Sequence, residues 1–355
     1  MPDDREKRVM PGEACPVSLL DHKQIVLGHG SGGKLTQDLI EKVFLPNFRN
    51  DYLSQLNDQA VLDLNGSRIA FTTDSFVVTP IFFPGGDIGH LAINGTVNDL
   101  AMSGAVPRFI AAAFILEEGL AADDLVRVVE SMRQAAAEAG VLLVTGDTKV
   151  VNRGKGDQVF ITTTGLGVLE RPGKISADQA QPGDLILLSG NIGDHGMAIM
   201  SRREGLEFEG PIESDTAALH TLVEDMLDAS SEIHCLRDPT RGGVATTLNE
   251  IASRSGVGME IDGRRIPVHE SVRGACEILG LDPLYVANEG KLIAIVAPAA
   301  ADAVLARMHR HPLGGNACCI GEVVAAHPRR VLVKTEIGGS RILDVMLGEQ
   351  LPRIC

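Results

Sequence analysis

The sequence is 355 residues long, more than a single hydrophobic core usually serves, so we expect two domains. Its formal net charge is −15, which excludes a general nucleic-acid binder because such proteins present a basic surface. Aromatic residues make up only 3% of the chain and tryptophan is absent, so base-stacking surfaces are not expected. No run of about 18 apolar residues occurs, so no membrane-spanning helix is expected either.

The distribution of cysteines and of N-terminal charge bears on the cellular compartment. The opening stretch "MPDDREKRVM" is charged and lacks the apolar core of a signal peptide, so we expect none. The six cysteines form neither a CxxC pair nor a zinc-type spacing. We therefore expect free thiols and a cytoplasmic location. Adjacent Cys318 and Cys319 are interpreted as a small buried pair rather than a metal site.

The first half of the chain is predicted to form one α/β unit, from 24 to 172, behind a loose polar extension at 1–23. The clearest helix lies at 121–140, with acidic residues in its first turn and Gly140 at its C-terminal stop. The predicted elements are a strand at 24–27, a helix at 34–44, a strand at 68–78, helices at 87–105 and 121–140, and strands at 141–144 and 158–169.

The stretch "RPGKISADQAQPGD" at 171–184 contains two prolines and two glycines, and we place a domain boundary there. A second α/β unit is predicted from 173 to 345, followed by a mobile tail at 346–355. The predicted elements are a strand at 185–190, helices at 193–205, 215–230 and 241–256, a strand at 291–298, a helix at 299–311 and a strand at 329–339.

The glycine-rich stretch "GHGSGGKL" at 28–35 nearly matches the P-loop pattern G-x-x-x-x-G-K-[ST]. Leu35 stands where the magnesium-binding hydroxyl belongs, so a true P-loop is not expected. Glycines let backbone N–H groups point at an anion, and we interpret Gly32, Gly33 and Lys34 as phosphate contacts. The alternative is a turn whose glycines satisfy only the backbone geometry.

Carboxylates recur beside Thr, Asn or Gly at the edges of apolar runs, in "NDQAV", "TTDSFV", "TVNDLA" and "TGDTKV". Magnesium prefers hard oxygen ligands, commonly carboxylates together with substrate phosphates. Taken singly, each is more typical of a turn or helix cap. Together with a glycine loop they indicate a magnesium–nucleotide site. We predict four metal ligands, namely Asp58, Asp74, Asp99 and Asp147, with Asn98 beside them as a cofactor contact.

Cations and a candidate base complete this site. "RDPTRGG" contains Asp238 and places Arg241 before a glycine pair and a helix start, where anions are held. Lys149 follows Asp147 and is a further predicted phosphate contact. Glu289 in "VANEGK" lies before a strand, either as a turn carboxylate or as a catalytic base.

With these motifs in view, the chain from about residue 24 onward resembles the HypE family of hydrogenase maturation factors, within the aminoimidazole ribonucleotide synthase-like superfamily. The resemblance rests on "HGSGG", "TTDSFVVTPIFFPGGDIG", "GTVNDLAMSGA", "TGDTKVV", "GDHG", "RDPTRGG", "NEGK" and the final "PRIC". Several of these motifs are shared with selenophosphate synthetase and thiamine-monophosphate kinase. "FFPGGDIG" and "PRIC" narrow the resemblance to the HypE family.

The resemblance implies a two-domain α/β fold, in which a four-stranded N-terminal sheet pairs across a homodimer and a C-terminal α/β sandwich closes over ATP. It implies that a HypF-like carbamoyltransferase loads Cys355 with a carboxamide. ATP and Mg²⁺ then support dehydration to a thiocyanate, with Glu289 as the candidate base. A HypC/HypD-like iron-carrying complex would accept the cyanide for NiFe-hydrogenase maturation.

Two other interpretations stay open from the sequence. The chain could be another ATP-using superfamily enzyme, a small-molecule kinase or a selenophosphate synthetase, in which Cys355 is incidental. The glycine loop at 28–34 lacks a cysteine, which weakens the selenium alternative. The chain could also be a non-catalytic assembly scaffold that binds nucleotide as a switch.

Overall fold

The computed structural model describes residues 24–205, 212–335, 338–346, 351 and 353–355. The predicted extension at 1–23 lies outside the described residues. Within the described part, no helix is long and apolar enough to cross a membrane.

The N-terminal unit begins with a 3₁₀ turn over Leu27–Gly30, so the strand predicted at 24–27 is wrong. Two short helices joined by a π-helical turn follow, in place of the single helix predicted at 34–44. The elements of this unit are α1 Lys34–Leu39, α2 Leu45–Phe48, β1 Ala60–Leu64, β2 Ser67–Phe76, β3 Phe82–Phe83, β4 Gly86–Asp87, α3 Ile88–Ala101, β5 Val106–Glu117, α4 Ala122–Glu138, β6 Leu142–Val151 and β7 Val159–Val168.

Five of these strands form one sheet in the order β1-β2-β7-β5-β6, parallel only between β5 and β6. The single chain thus has five strands where the resemblance implied four. Helix α3 packs on one face, and Ile110 and Ile161 of the sheet share a buried core with Leu91 of the helix. Strand β7 alternates buried and half-buried residues along its whole length, as a sheet with one covered face requires.

The opposite face of this sheet, which we call the outer face, is open in the single chain. Cross-strand pairing aligns Phe71, Leu166, Phe109 and Leu142 in one row on it. Phe71 is 44% exposed, Phe109 42% and Leu142 64%. An aligned apolar row on an open sheet face is typical of a surface that another sheet covers.

The C-terminal unit is a second α/β layer structure, reached through a connection between Val168 and Leu185 in which the predicted boundary lies. The helix predicted at 215–230 begins later, at His220. The elements are β8 Leu185–Leu188, α5 Asp194–Glu204, α6 His220–Ala229, β9 Ile233–Arg237, α7 Gly243–Ser255, β10 Gly258–Asp262, α8 Glu270–Leu279, β11 Ile293–Val296, α9 Pro298–Met308, β12 Cys318–Val324, β13 Val331–Lys334 and β14 Ser340–Leu343.

The C-terminal sheet has the order β14-β13-β10-β12-β8-β11-β9 and is covered on both faces. Ile186 and Leu188 of β8 pack with α7, whereas Leu187 packs with α6 and α9. Strands buried on both faces are apolar at every position, which explains "LILL" and "IAIV". The predicted two-domain α/β fold is confirmed.

The predicted buried pair Cys318 and Cys319 needs a correction. Both side chains are only half-buried on β12, and they pack against the clusters on opposite faces of the sheet. Successive side chains of a strand point to opposite faces, so the two thiols are separated.

Candidate active site

Three aspartates from both units converge where α3 meets the C-terminal sheet. Carboxylate oxygens of Asp58, Asp99 and Asp238 all lie within 4.8 Å of one another. Asp58 precedes β1, Asp99 lies near the end of α3, and Asp238 directly follows β9. The Thr72 hydroxyl, on β2, lies 2.7 Å from Asp99 Oδ2 and 2.8 Å from the Asp58 carbonyl oxygen. The cluster therefore joins the two units.

Burial dominates the electrostatics of this cluster. It raises the pKa of Asp58 to about 8 and that of Asp238 to about 6, and it raises the pKa of Asp99 well above its usual range. The neighbouring carboxylates add to the shift at each site. Arg237 lies 2.8 Å from Asp58 Oδ1, yet the buried Asp58 Oδ2 has no hydrogen-bond partner. Clustered buried carboxylates with an unused oxygen fit a hard divalent cation such as Mg²⁺.

Asp74 lies on β2 two residues beyond Thr72 and therefore on the same face of the sheet, toward α3. Its charge helps to raise the pKa of both Asp99 and Glu289, which places it close to the cluster. Asp74 thus belongs to the same acidic site, at its edge rather than among the three converging carboxylates.

Asn98 joins backbone segments instead of facing the cluster. Its Nδ2 donates to the carbonyl oxygens of Ala217 at 3.0 Å and Glu289 at 3.2 Å, and its Oδ1 accepts from the Leu219 N–H at 2.8 Å. These three bonds engage the amide with the chain itself. In this structure Asn98 therefore holds backbone segments together, and its direct cofactor contact stays a prediction.

Glu289 is 3% exposed and its Oε1 has no hydrogen-bond partner. Burial, followed by the charge of Asp238, raises the pKa of Glu289 well above its usual range. Its backbone is fixed because the Glu289 N–H donates to Asp215 Oδ1 at 3.0 Å, and Asp215 pairs with Lys291 at 2.9 Å. A buried carboxyl with a free oxygen, carried on a fixed backbone, is suited to proton transfer.

The glycine loop packs against the C-terminal unit. Arg241 Nη1 donates to the Gly30 carbonyl oxygen at 3.1 Å, and a Cβ at Gly32 would lie 2.8 Å from the Arg241 backbone oxygen. Lys34 Nζ pairs with Asp38 at 2.9 Å. The loop thus lies beside Arg241, whereas the Lys34 ammonium is engaged by a carboxylate of its own helix.

The end of the chain is docked in this structure. Val77 N–H donates to the Cys355 carbonyl oxygen at 3.0 Å, and Thr79 N–H donates to that of Arg353 at 3.2 Å. Val78 forms an antiparallel bridge with Ile354, which is 3% exposed. Residues 353–355 therefore lie as a short added strand beside 77–79.

Docking brings Cys355 into the acidic site. Burial raises the pKa of the Cys355 thiol, the charge of Arg241 opposes that shift, and Glu289, Asp74 and Asp238 add to it. Cys355 in turn is the largest cause of the raised pKa of Arg241. The thiol therefore lies within electrostatic range of the predicted base, cation and acidic residues together.

Two predicted residues lie elsewhere in the single chain. Asp147 on β6 is paired with Ala113 on β5, and the same row continues through β7 to Ser75 on β2. Ser75 is on the opposite face of β2 from Asp74, so Asp147 points to the outer face. Three strand spacings, about 14 Å, separate β6 from β2. Asp147 is 63% exposed and pairs with Lys149 at 2.6 Å. Within one chain, neither residue reaches the cluster.

Several site residues escaped the sequence prediction. Thr72 and Arg237 lie one or two positions from predicted residues, and the "RDPTRGG" motif already contained the arginine. His195 of the "GDHG" motif and Arg203 contact the docked tail, at 2.6 Å to the Ile354 carbonyl oxygen and 2.8 Å to that of Arg353. His195 lies in the first turn of α5, within the "GDHG" motif on which the resemblance already rested.

Comparison with models of known protein families identifies the general class of the chain. Family models described as AIR synthase related protein, N-terminal domain and C-terminal domain, match residues 56–169 and 181–334. The first match falls on the N-terminal unit and the second on the C-terminal unit. Within this class, the chain belongs to the HypE family of carbamoyl dehydratases.

The relatives match over nearly their whole length. Carbamoyl dehydratase HypE of Azotobacter vinelandii is 59% identical over 95% of this chain and 98% of the relative. HypE of Escherichia coli K12 is 48% identical over 93% of this chain and 99% of the relative. A structure of a HypE–HypF complex aligns with TM-score 0.83 and 51% identity over 87% of this chain and 99% of that one. A structure of HypE in complex with ATP aligns with TM-score 0.79 and 52% identity, over 94% of this chain and 100% of that one.

Proposed function

We propose that this protein dehydrates a carboxamide carried on the sulfur of Cys355 to a thiocyanate, with ATP as co-substrate. The product would supply cyanide ligands to the metal centre of a NiFe hydrogenase. The observation that carries the proposal is the docking of the chain end along 77–79, which puts Cys355 within electrostatic range of Arg241 and Glu289. Family membership and the ATP complex of a relative support the same reaction.

The chemistry needs an activated oxygen, because hydroxide is too poor a leaving group to depart from an amide. The carboxamide oxygen attacks the γ-phosphorus of ATP, the bond from that phosphorus to the bridging oxygen breaks, and ADP leaves. One N–H proton departs to give a neutral imidate phosphate. Loss of the second N–H proton and cleavage of the C–O bond then release phosphate and form S–C≡N. The carboxamide oxygen therefore ends in the phosphate.

We assign the residues by position and charge. Asp58, Asp99 and Asp238 would hold a divalent cation, with Asp74 at the edge of the same site. Such a cation supplies charge neutralisation for phosphoryl transfer. Arg241 would neutralise the phosphate as it departs. Burial raises the pKa of Glu289 and the charge of Arg241 opposes that shift, and we assign Glu289 as the group that takes the N–H proton.

We also propose that the protein acts as a homodimer joined through the outer face of the N-terminal sheet. The apolar row of Phe71, Leu166, Phe109 and Leu142 supports this pairing. A facing protomer would put its Asp147 and Lys149 at the interface, from which they could reach the other protomer's nucleotide. This arrangement accounts for a site motif that points away from its own cluster.

The loading and accepting partners follow from the chemistry of the carrier thiol. A HypF-like carbamoyltransferase would load Cys355, as the solved HypE–HypF complex of a relative supports. A HypC/HypD-like iron-carrying complex would accept the cyanide. Free thiols are compatible with a cytoplasmic setting for this exchange.

Intact-mass measurement tests the proposal directly. Protein incubated with the carbamoyl donor should gain one carboxamide, and adding ATP should remove the elements of one water while ADP and phosphate appear. Cys355→Ala should show neither change. A mass gain that maps to another cysteine, or a Cys355→Ala protein that still becomes cyanated, would overturn the proposal.

A further inference from the structure

We propose that His195 and Arg203 are positioning residues of a tail dock, a site formed by residues 77–79, Asp157, His195 and Arg203 that holds the end of the chain by its backbone. The inference deepens the proposed function, and its role in catalysis rests on that function. The dock would set how long Cys355 stays in the acidic site rather than take part in the chemistry.

Every backbone carbonyl of the last three residues is anchored. The Arg353 carbonyl oxygen accepts from the Thr79 N–H and from Arg203 Nη2 at 2.8 Å, and the Ile354 carbonyl oxygen accepts from His195 Nε2 at 2.6 Å. The Cys355 carbonyl oxygen accepts from the Val77 N–H at 3.0 Å. Two of the four donors are side chains, so the dock is more than an added β-strand.

His195 is built to donate toward the tail. It is 0% exposed, and burial lowers its pKa, so the ring is neutral. A carbonyl oxygen only accepts, so Nε2 carries the proton, and Nδ1 accepts from the Ser214 hydroxyl at 2.8 Å. Thr216 Oγ1 lies 2.6 Å from Ser214 Oγ and completes the chain of hydroxyls that fixes this tautomer.

Arg203 joins the tail to the strand against which it docks. Its Nη2 donates to the Thr79 carbonyl oxygen at 2.7 Å as well as to that of Arg353, so one guanidinium bridges both segments. The apolar side chains of the tail are buried as well. Ile354 packs in the hydrophobic core, and Leu351 packs against Gly196, where an added Cβ would lie 3.2 Å from the Leu351 side chain. Outside, Arg353 Nη1 pairs with Asp157 at 2.6 Å.

A carrier thiol has two requirements that oppose each other. It must be accessible for loading and must be held for dehydration. Anchors made of separable hydrogen bonds at the chain end allow both, because each bond is replaced by water when the tail leaves. Weakening the dock should therefore favour the accessible state, so that dehydration slows while loading proceeds at least as fast as in wild type.

Site-resolved alkylation of the full-length protein measures docking without reference to activity. Iodoacetamide should modify Cys355 about tenfold faster in His195→Leu and in Arg203→Met, the factor expected for one lost hydrogen bond to the tail. His195→Gln keeps an N–H donor and should react as wild type. Arg202→Met, at an exposed neighbour on the same helix, is the matched control. Cys235, at 0% exposure, reports global unfolding in every variant.

Wild-type alkylation rates at Cys355 in both His195→Leu and Arg203→Met, with Cys235 protected, would overturn the proposal. If His195→Leu unfolds, the Arg203→Met result and the His195→Gln result decide it, because a purely structural histidine would not be rescued by glutamine. In a cyanation assay, the two dock variants should lose about tenfold in the ATP-dependent step, while donor loading is at least as fast as in wild type and KM for ATP stays unchanged. Faster alkylation together with no cyanation even in wild type would refute the proposed function and leave the dock standing.

Discussion

The backbone N–H of Lys34 donates a 2.8 Å hydrogen bond to the carbonyl oxygen of Met346. The glycine loop and the start of the tail therefore hold each other, while the dock holds the far end. Cys355 lies nine positions after Met346, which allows a reach of about 30 Å at ~3.3 Å per residue. The tail is thus anchored at its origin and releasable at its tip.

The glycine loop offers a matched pair of substitutions for this contact. A Cβ at Gly33 would lie 2.6 Å from the Met346 carbonyl oxygen, whereas a Cβ at Gly30 has no atom within 4 Å. Gly33→Ala should displace the start of the tail and slow ATP-dependent cyanation by about tenfold, and Gly30→Ala should leave it unchanged. Neither glycine has a positive φ, so backbone strain does not confuse the comparison. Equal rates in the two variants would show that the loop does not position the tail.

The acidic cluster predicts a metal response that is separate from activity. Millimolar Mg²⁺ should raise the Tm of wild type by about 2–4 °C, because a ligand that binds only the folded state stabilises it. Asp99→Asn should lose that shift together with most ATP turnover, on the order of 10³-fold. Asp123→Asn, on the exposed first turn of α4, is the control and should behave as wild type. A full Mg²⁺ shift in Asp99→Asn would place the cation elsewhere.

Much of the fold could be predicted from the sequence because the patterns are local. The helix Ala122–Glu138 has acidic residues in its first turn and Gly140, at φ +67°, past its end, and β7 alternates with period two. Strand β10 and helix α8 were not predicted, although the buried residues Val272, Ala275 and Cys276 recur at helical spacing along α8. The strand expected at 24–27 failed because "QIVL" is apolar but has no neighbouring strand to pair with in the described chain.

The site could be predicted only in part, because strand register is non-local. Asp74 and Asp147 lie in similar Thr-Asp contexts, yet one points to α3 and the other to the outer face. A difference of one residue in pairing decides the face, and no local pattern reports it. The docked tail escaped prediction for the same reason, since 77–79 and 353–355 are distant in sequence.

Glu289→Gln should separate binding from chemistry. Glutamine is isosteric and cannot take a proton, so ATP should bind normally while thiocyanate forms about 10²–10⁴-fold more slowly. The free Oε1 suggests that the substitution breaks no hydrogen bond of the resting site. Single-turnover cyanation of preloaded protein, alongside a nucleotide-binding titration, measures both quantities. An unchanged rate would assign proton removal to another group.

His195 predicts a pH dependence of stability. Burial lowers its folded-state pKa below the usual 6.5, while the nearby charge of Asp215 opposes the shift. Between the two pKa values the unfolded chain binds more protons, so this contribution is present above about pH 6.5 and is lost as pH falls. Wild type should therefore lose stability relative to His195→Gln between pH 7 and pH 5. Urea unfolding at both pH values measures the difference, and parallel curves would contradict it.

Mixing two inactive variants tests whether Asp147 acts across a dimer. If each site combines Glu289 of one protomer with Asp147 of the other, a heterodimer of Asp147→Asn and Glu289→Gln has one intact site. An equimolar, fully exchanged mixture should then regain roughly a quarter of wild-type activity, since half the dimers are mixed and each has one working site.

The control for this mixture uses two residues that share one protomer's site. Asp58→Asn mixed with Glu289→Gln leaves no intact site in any dimer and should stay inactive, because each lesion disables its own protomer. Phe109→Glu on the outer face should dissociate the dimer, which light scattering would report as the 37.7 kDa chain, and should abolish the complementation. The mixture of Asp147→Asn and Glu289→Gln could instead show no recovery although mass measurement verifies subunit exchange. That result would mean that Asp147 only forms a surface ion pair with Lys149.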